Sequence, residues 1–217
     1  MFAEDGYGVI AKAVLLGLLV IATGYYFTGV AFYVSLVLGL FLIAFTLYFF
    51  RDPNRVTPPG ENLVISPADG KVIEIKKVYE GKFLDSEATQ VSIFLSPLDV
   101  HVNRIPLTGV IQYAEYIPGE YLVAWHEKAS ELNERSEFGI RHHSGARMFF
   151  RQITGYVARR IVFHIKEGDD VVAGDRFGMM KFGSRMDLVY TDEITLNVKP
   201  GDRVVGGETI IGQVNMK

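Results

Sequence analysis

From Val9 to Phe50 the chain runs 42 residues with Lys12 as its only charge. A membrane-spanning helix needs roughly 20 apolar residues, so this stretch suits two such helices rather than one. Gly24 and the Thr28-Gly29 pair offer a place to turn, which predicts helices near 8–26 and 30–50. Tyr25, Tyr26 and Phe27 then fall at the far interface, where aromatic rings settle. The tract is too long for a cleaved signal peptide and lacks its basic leading segment. An interfacial or re-entrant hairpin in the near leaflet is the alternative to two full spans. Arg51 and Arg55 come directly after the tract, and the positive-inside tendency places the remainder of the chain on the cytoplasmic face of the cell membrane.

Phe50-Arg51-Asp52-Pro53-Asn54-Arg55 closes the apolar part, and Pro58-Pro59-Gly60 ends any helix there. The expected domains are therefore a membrane-anchoring hairpin, 1–50, and a second domain, 51–217. The second domain carries an ordinary mixture of charges, and the net charge of −3 offers no basic field for nucleic acid. The chain has no cysteine, which excludes disulfides, thiolate metal sites and a cysteine nucleophile.

Beyond Pro59 the texture is β. Leu63–Ser66, Lys71–Val78, Gln90–Leu95, Gly109–Ile117, Ala146–Ile153, Val157–Ile165 and Glu193–Val198 are short, rich in β-branched and aromatic residues, and punctuated by Gly, Pro and Asp. Val123–Glu134 reads as a helix. The predicted fold is mainly β (α+β): a twisted antiparallel sheet or partly open barrel, preceded by the hydrophobic helical hairpin. One repeat stands out. Lys166-Glu-Gly-Asp-Asp-Val-Val-Ala-Gly-Asp175 matches Lys199-Pro-Gly-Asp-Arg-Val-Val-Gly-Gly-Glu208 at an offset of 33 residues. Each copy reads as a Gly-Asp turn, a Val-Val strand and a second Gly turn. The pattern is similar to that of biotinyl and lipoyl carrier domains, whose modified lysine sits in a turn between the halves. Lys181 is the nearest candidate, but that position is taken by Gly183-Ser184, so the repeat reads as scaffolding that presents this dipeptide in a turn.

Gly183-Ser184 lies within Phe182-Gly183-Ser184-Arg185-Met186-Asp187. Gly-Ser is a common turn dipeptide, yet such a bond can also break itself. Ser Oγ attacks the preceding carbonyl, the amide becomes an ester, and elimination leaves a dehydroalanine that hydrolyses to a pyruvoyl group. Glycine leaves the carbonyl unshielded and bends at little steric cost. Three other stretches carry polar chemistry. Ser66-Pro67-Ala68-Asp69-Gly70 is a turn between strands. Asp99 and His101 stand two apart, which on a strand puts both on one face, with Asn103 and Arg104 beside them in an otherwise apolar tract. Lys128-Ala129-Ser130-Glu131-Leu132-Asn133-Glu134-Arg135-Ser136 reads as a charged helix face. His126, His142, His143 and His164 have neither the spacing nor the acidic partners of a metal site.

Five of these stretches together resemble the short bacterial and archaeal phosphatidylserine decarboxylases: FGSRMDLV, FFRDPNR, PADG, SPLDVHVNRIP and KASELNERS. The resemblance implies a proenzyme cut at Gly183-Ser184 into a β chain, 1–183, and an α chain, 184–217. It also implies a covalent pyruvoyl cofactor made from Ser184, without metal, which takes the substrate amine as a Schiff base and withdraws electrons. The substrate would be phosphatidylserine in the bilayer, and the product phosphatidylethanolamine. On this resemblance Asp69 assists self-cleavage, and His101 reprotonates the substrate Cα, its tautomer fixed by Asp99. The longer enzymes carry a second histidine where this chain has Arg104, which cannot serve as a base, so the processing base stays open. Lys128, Arg135 and Arg104 offer cations for the lipid phosphate, and Arg159-Arg160 for the substrate carboxylate or anionic lipid. The readings that compete are a tethered carrier or adaptor without catalysis, and a decarboxylase of a related ether-linked aminophospholipid. A homo-oligomer is open.

Overall fold

The computed structural model describes residues 1–27, 29–120, 122, 132–155, 161–181 and 184–215, and the chain divides into two compact units, Met1–Asn54 and Arg55–Lys217.

In the first unit a short 3-10 turn, Glu4–Gly6, leads into α1 (Tyr7–Tyr25), and α2 (Val30–Phe49) returns beside it. Both helices are long and apolar enough to cross a membrane. They touch through small residues. A Cβ on Gly39 would lie 2.6 Å from the Gly17 carbonyl oxygen, and one on Gly24 would lie 2.3 Å from Ser35 Cβ. Without side chains there the two backbones close up. Leu15, Leu18, Leu19, Val37, Leu38 and Phe41 stay exposed. The open end of the hairpin is tied by Ala3 N–H to the Phe50 carbonyl (2.9 Å) and Asp52 N–H to the Met1 carbonyl (2.8 Å).

The second unit is built on antiparallel strands. Its main sheet curls into a half-barrel of eight, in the order β13 (Arg203–Val204), β2 (Gly70–Glu80), β3 (Ser86–Leu95), β11 (Ser184–Tyr190), β7 (Arg147–Thr154), β6 (Arg135–Arg141), β5 (Gly109–Ile117) and β9 (Asp170–Val171). Two three-stranded sheets accompany it: β1 (Leu63–Ile65), β14 (Ile210–Val214) and β12 (Ile194–Leu196), and β4 (Val102–Arg104), β10 (Arg176–Met180) and β8 (Ile161–Phe163). Alternate residues of the central strands face one core that includes Ile93, Leu95, Phe138, Phe150, Met186 and Leu188. The opposite face carries a smaller cluster of Leu84, Ala88, Phe149 and Val189.

The mainly β expectation and the apolar helical pair hold. The predicted helix at 123–134 falls outside the described residues except for its last three, and of the predicted strand at 157–165 the structure describes β8. The segment after Gly183 differs from the expected turn. Ser184 opens β11, which pairs with β3 on one side and β7 on the other through seven residues each, and every residue of it is buried. Arg185 and Asp187 hid this strand from a hydrophobicity reading, because in the fold they neutralise each other.

The repeat is a structural duplication of larger extent than its sequence match. Its two copies supply β9 and β13, the opposite edges of the main sheet. Gly168 N–H bonds the Ile111 carbonyl and Gly201 N–H bonds the Val72 carbonyl, each at 2.8 Å. Gly174 N–H meets the Ile105 carbonyl (2.8 Å) as Gly207 N–H meets that of Ser66 (2.9 Å). The segments Ser66-Pro67-Ala68-Asp69-Gly70 and Ile105-Pro106-Leu107-Thr108-Gly109 are therefore counterparts. They interlock reciprocally, Arg104 N–H to the Pro67 carbonyl and Ile65 N–H to the Pro106 carbonyl, both 2.8 Å.

Candidate active site

Strand register gathers the polar motifs at one end of the main sheet. There β2 begins after Asp69, β3 ends before Ser96, β11 begins at Ser184, β7 ends at Thr154 and β6 begins at Arg135. Ser184 stands opposite both Leu95 and Thr154, Lys71 opposite Phe94, and Arg135 opposite Ile153. Arg55 from the FFRDPNR stretch reaches the same end, with its Nη2 2.8 Å from Asp69 Oδ2. Stretches spread over some 130 residues of chain converge because antiparallel strands return their ends to one edge.

Ser184 is fully buried, on the same face as Met186 and Leu188. Its Oγ has no hydrogen-bond partner among the described residues. Leaving a buried hydroxyl unbonded costs about 1–3 kcal/mol, a cost that the fold itself does not offset among the described residues. Gly183, the other half of the predicted cleavage site, lies outside the described residues.

His101 is also fully buried. Its Nδ1 lies 2.9 Å from the backbone carbonyl of Asp99. A carbonyl only accepts, so Nδ1 carries the proton and the neutral ring keeps its lone pair on Nε2. The tautomer is thus held by the Asp99 backbone, not by the carboxylate that the spacing suggests. That carboxylate accepts the Ser96 N–H (2.8 Å) and pairs with Arg203 (3.0 Å). The reason is local: Ser96–Asp99 is a turn, and β4 starts only at Val102, so 99 and 101 do not share a strand face. Met180 N–H donates to the His101 carbonyl at 3.2 Å, which seats the histidine beside the strand leading toward residue 184.

Asp69 accepts the Gly206 N–H on Oδ1 (2.8 Å) and the Arg55 guanidinium on Oδ2 (2.8 Å). One strand separates β2 from β11, which puts its backbone about 9–10 Å from that of Ser184. In the counterpart half, Thr108 Oγ1 accepts the Ala173 N–H (3.1 Å), the same bond from the same place. A hydroxyl therefore suffices for the turn bond itself, and what the carboxylate at 69 adds is its pairing with Arg55.

The expected cations are placed differently from one another. Arg104 is buried and donates to the Gly174 carbonyl (2.8 Å), bracing the duplicated loops. Arg135 lies on the sheet face opposite Ser184 and holds Glu137 at 2.7 Å. Lys128, His126 and Arg159-Arg160 lie outside the described residues. Lys181, the carrier candidate, is half-buried. Among the described residues no three His, Asp or Glu side chains gather to hold a metal.

One group escaped the sequence reading. Ser136 Oγ, Gln152 and Asn103 form a buried chain, with Gln152 Oε1 2.6 Å from Ser136 Oγ and its Nε2 2.8 Å from Asn103 Oδ1. The available signal was phase: Gln152 stands two residues after Phe150, so an amide occupies a core position of β7. Asn133, from the same stretch as Arg135, binds the Thr154 carbonyl (2.7 Å) and both backbone groups of Leu122. It steadies the strand end facing Ser184.

A family model described as phosphatidylserine decarboxylase matches residues 42–212. A protein of Salinibacter ruber called phosphatidylserine decarboxylase proenzyme is 55% identical over 175 residues, 79% of this chain and 77% of its own. Its namesake in Chlorobium phaeobacteroides is 44% identical over 214 residues, 99% of this chain and 100% of its own. One in Symbiobacterium thermophilum is 44% identical over 173 residues, covering 80% of each.

Proposed function

The chain belongs to the phosphatidylserine decarboxylase family, and from that premise we propose that it is a self-cleaving precursor that converts phosphatidylserine to phosphatidylethanolamine at the end of its main sheet. The observation that carries this reading is the hydroxyl of Ser184, buried at the first position of a central strand and without a partner among the described residues. Ser184 Oγ attacks the Gly183 carbonyl, the C–N bond breaks, and an ester forms. Loss of the Ser184 Cα proton then expels the Gly183 carboxylate, and hydrolysis of the dehydroalanine releases ammonia.

A pyruvoyl group at residue 184 suits this place. The position is enclosed, its only polar side-chain atom has no other task, and the paired strands on both sides retain the new terminus after the bond breaks. The group supplies a carbonyl that captures the headgroup amine and draws electrons from the Cα–carboxylate bond. His101, with Nδ1–H held by the Asp99 carbonyl, uses Nε2 to carry the proton returned to the substrate Cα. Asp69 serves the cleavage step: its turn bond needs no charge, as the Thr108 counterpart has none, and Arg55 pairs with its carboxylate at the end of the sheet where Ser184 begins β11. The apolar hairpin anchors the enzyme in the cell membrane with this unit on the cytoplasmic side, because Arg51 and Arg55 follow α2.

Intact-mass spectrometry of the purified protein tests the reading. Wild type should give two pieces, the smaller beginning at residue 184 and blocked at its amino end. Ser184→Ala should give one inactive chain of 24.3 kDa. A wild type that stays whole while releasing carbon dioxide from the lipid overturns it.

A further inference from the structure

The Ser136–Gln152–Asn103 chain leaves a second polar atom unused in the same core as Ser184. Gln152 Nε2 also lies 3.4 Å from the Val162 carbonyl. That oxygen only accepts, so the Gln152 nitrogen faces it and Oε1 faces the Ser136 hydroxyl. The same nitrogen meets Asn103, which must then present its own oxygen. Asn103 Nδ2 is consequently turned away from Gln152. It is buried in a side chain that is 0% exposed, and it bonds nothing among the described residues.

Gln152, on which this donor's side chain rests, is a near neighbour of residue 184. Ser184 pairs with Thr154 and Met186 with Gln152, so Ser184 and Gln152 are diagonal neighbours on one face, roughly 7–8 Å apart. Asn103 rests on Gln152, and His101 precedes it by two residues along the same segment. Two buried groups without partners among the described residues, a hydroxyl and an amide N–H₂, thus stand on either side of Gln152. A buried donor without an acceptor lowers stability unless its partner arrives later.

We propose that Asn103 Nδ2 is the donor that receives a negatively charged oxygen at residue 184, with Gln152 and Ser136 as the positioning residues that aim it. The inference rests on the reading of Ser184 given above. Two oxygens have this chemistry: the Gly183 carbonyl oxygen as the hydroxyl adds to it during cleavage, and the carboxylate of the phosphatidylserine headgroup afterwards. An amide suits either, because it donates without a fixed positive charge that would hold the substrate carboxylate back from leaving as carbon dioxide.

The experiment uses full-length protein in detergent and three forms of it: wild type, Asn103→Ala, and the triple variant Ser136→Ala/Gln152→Met/Asn103→Leu. The triple variant removes the whole chain and orphans nothing, so its thermal midpoint should stay near wild type. One arm follows conversion of newly made precursor by gel. A donor to the carbonyl oxygen is expected to matter by about 10²-fold or more in cleavage rate, in the triple variant as in the single. The other arm uses the cleaved fraction, with phosphatidylserine as substrate and phosphatidylethanolamine as inhibitor. Loss of a donor to the carboxylate should raise KM for phosphatidylserine about 10-fold or more. Inhibition by phosphatidylethanolamine, which lacks the carboxylate, should stay the same. A loosened fold would weaken both lipids together. The proposal is overturned if cleavage and KM both stay within about twofold of wild type, or if the triple variant regains both along with its thermal midpoint. It is likewise overturned if substrate and inhibitor weaken equally while cleavage is unchanged. An uncut wild type would instead remove the reading of Ser184 on which it stands.

Discussion

Arg185 follows the bond that is proposed to break, and its side chain is 1% exposed on the sheet face opposite the core. Its Nε lies 2.7 Å and its Nη2 3.3 Å from the two oxygens of Asp187, which is itself 0% exposed, and Nη2 also donates to Ser92 Oγ at 2.8 Å. Removing one member of such a buried pair costs about 3–5 kcal/mol, and Glu74, 3.7 Å from Arg185 Nη2 and partly exposed, is too distant to replace the bidentate contact of Asp187. For a domain of this size 1 kcal/mol moves Tm by about 2–4 °C. Asp187→Ala and Arg185→Met should therefore each lower Tm by about 6–20 °C. Replacing both members with apolar residues of similar size, Arg185→Met/Asp187→Val, should return Tm to within a few degrees of wild type or above it, because neither desolvation cost remains. Thermal unfolding in detergent measures all three, and a gel of the same samples reports cleavage. The double variant keeps the strand, so it should still be cut. The reasoning fails if Asp187→Ala shifts Tm by less than about 2 °C, or if the double variant is as unstable as the single ones.

His101→Ala should still be cut at Gly183-Ser184 yet lose about 10²–10⁴-fold in carbon dioxide release. Asp69→Ala should accumulate uncut chain, and complete loss of cleavage in the His101 variant would reverse the two roles. His142 is buried between the Glu61 carbonyl and Ser144, and burial together with neighbouring His143 pushes its pKa below the ordinary value. The folded state then binds fewer protons than the unfolded one, so its contribution is full above about pH 6.5 and is lost as pH falls below it. Tm should drop between pH 7.5 and 5.5, and His142→Gln should flatten that slope. Because the chain has no native cysteine, single cysteines at Asp5 and at exposed Asp192 can report topology. Both should resist a membrane-impermeant maleimide in intact cells and react after lysis; labelling of Asp192→Cys in intact cells would contradict the cytoplasmic placement.

Long-range uniformity made parts of this protein legible without a fold. Forty-two residues with one charge are long and apolar enough for two helices, and short runs of β-branched residues between Gly and Pro have the pattern of strands. The family motifs were legible for the same reason, since each is a compact string whose residue types carry its chemistry. What the sequence hid depends on partners distant along the chain. Ser184–Tyr190 reads as polar until Arg185 finds Asp187 and Ser92, and only β3 and β7 on its two sides make it a central strand. The carboxylate of Asp99 was assigned to His101 by spacing, and a turn at 96–99 sent it to Arg203 instead. Gln152 became meaningful when Asn103, 49 residues away, came within 2.8 Å. Local pattern determines which segments are helix or strand, because propensity and burial phase act over a few residues. Which buried polar atoms are satisfied, and which are left over for chemistry, is decided by tertiary contacts alone, because a hydrogen bond needs its partner within about 3 Å in space however far apart the two lie in the chain.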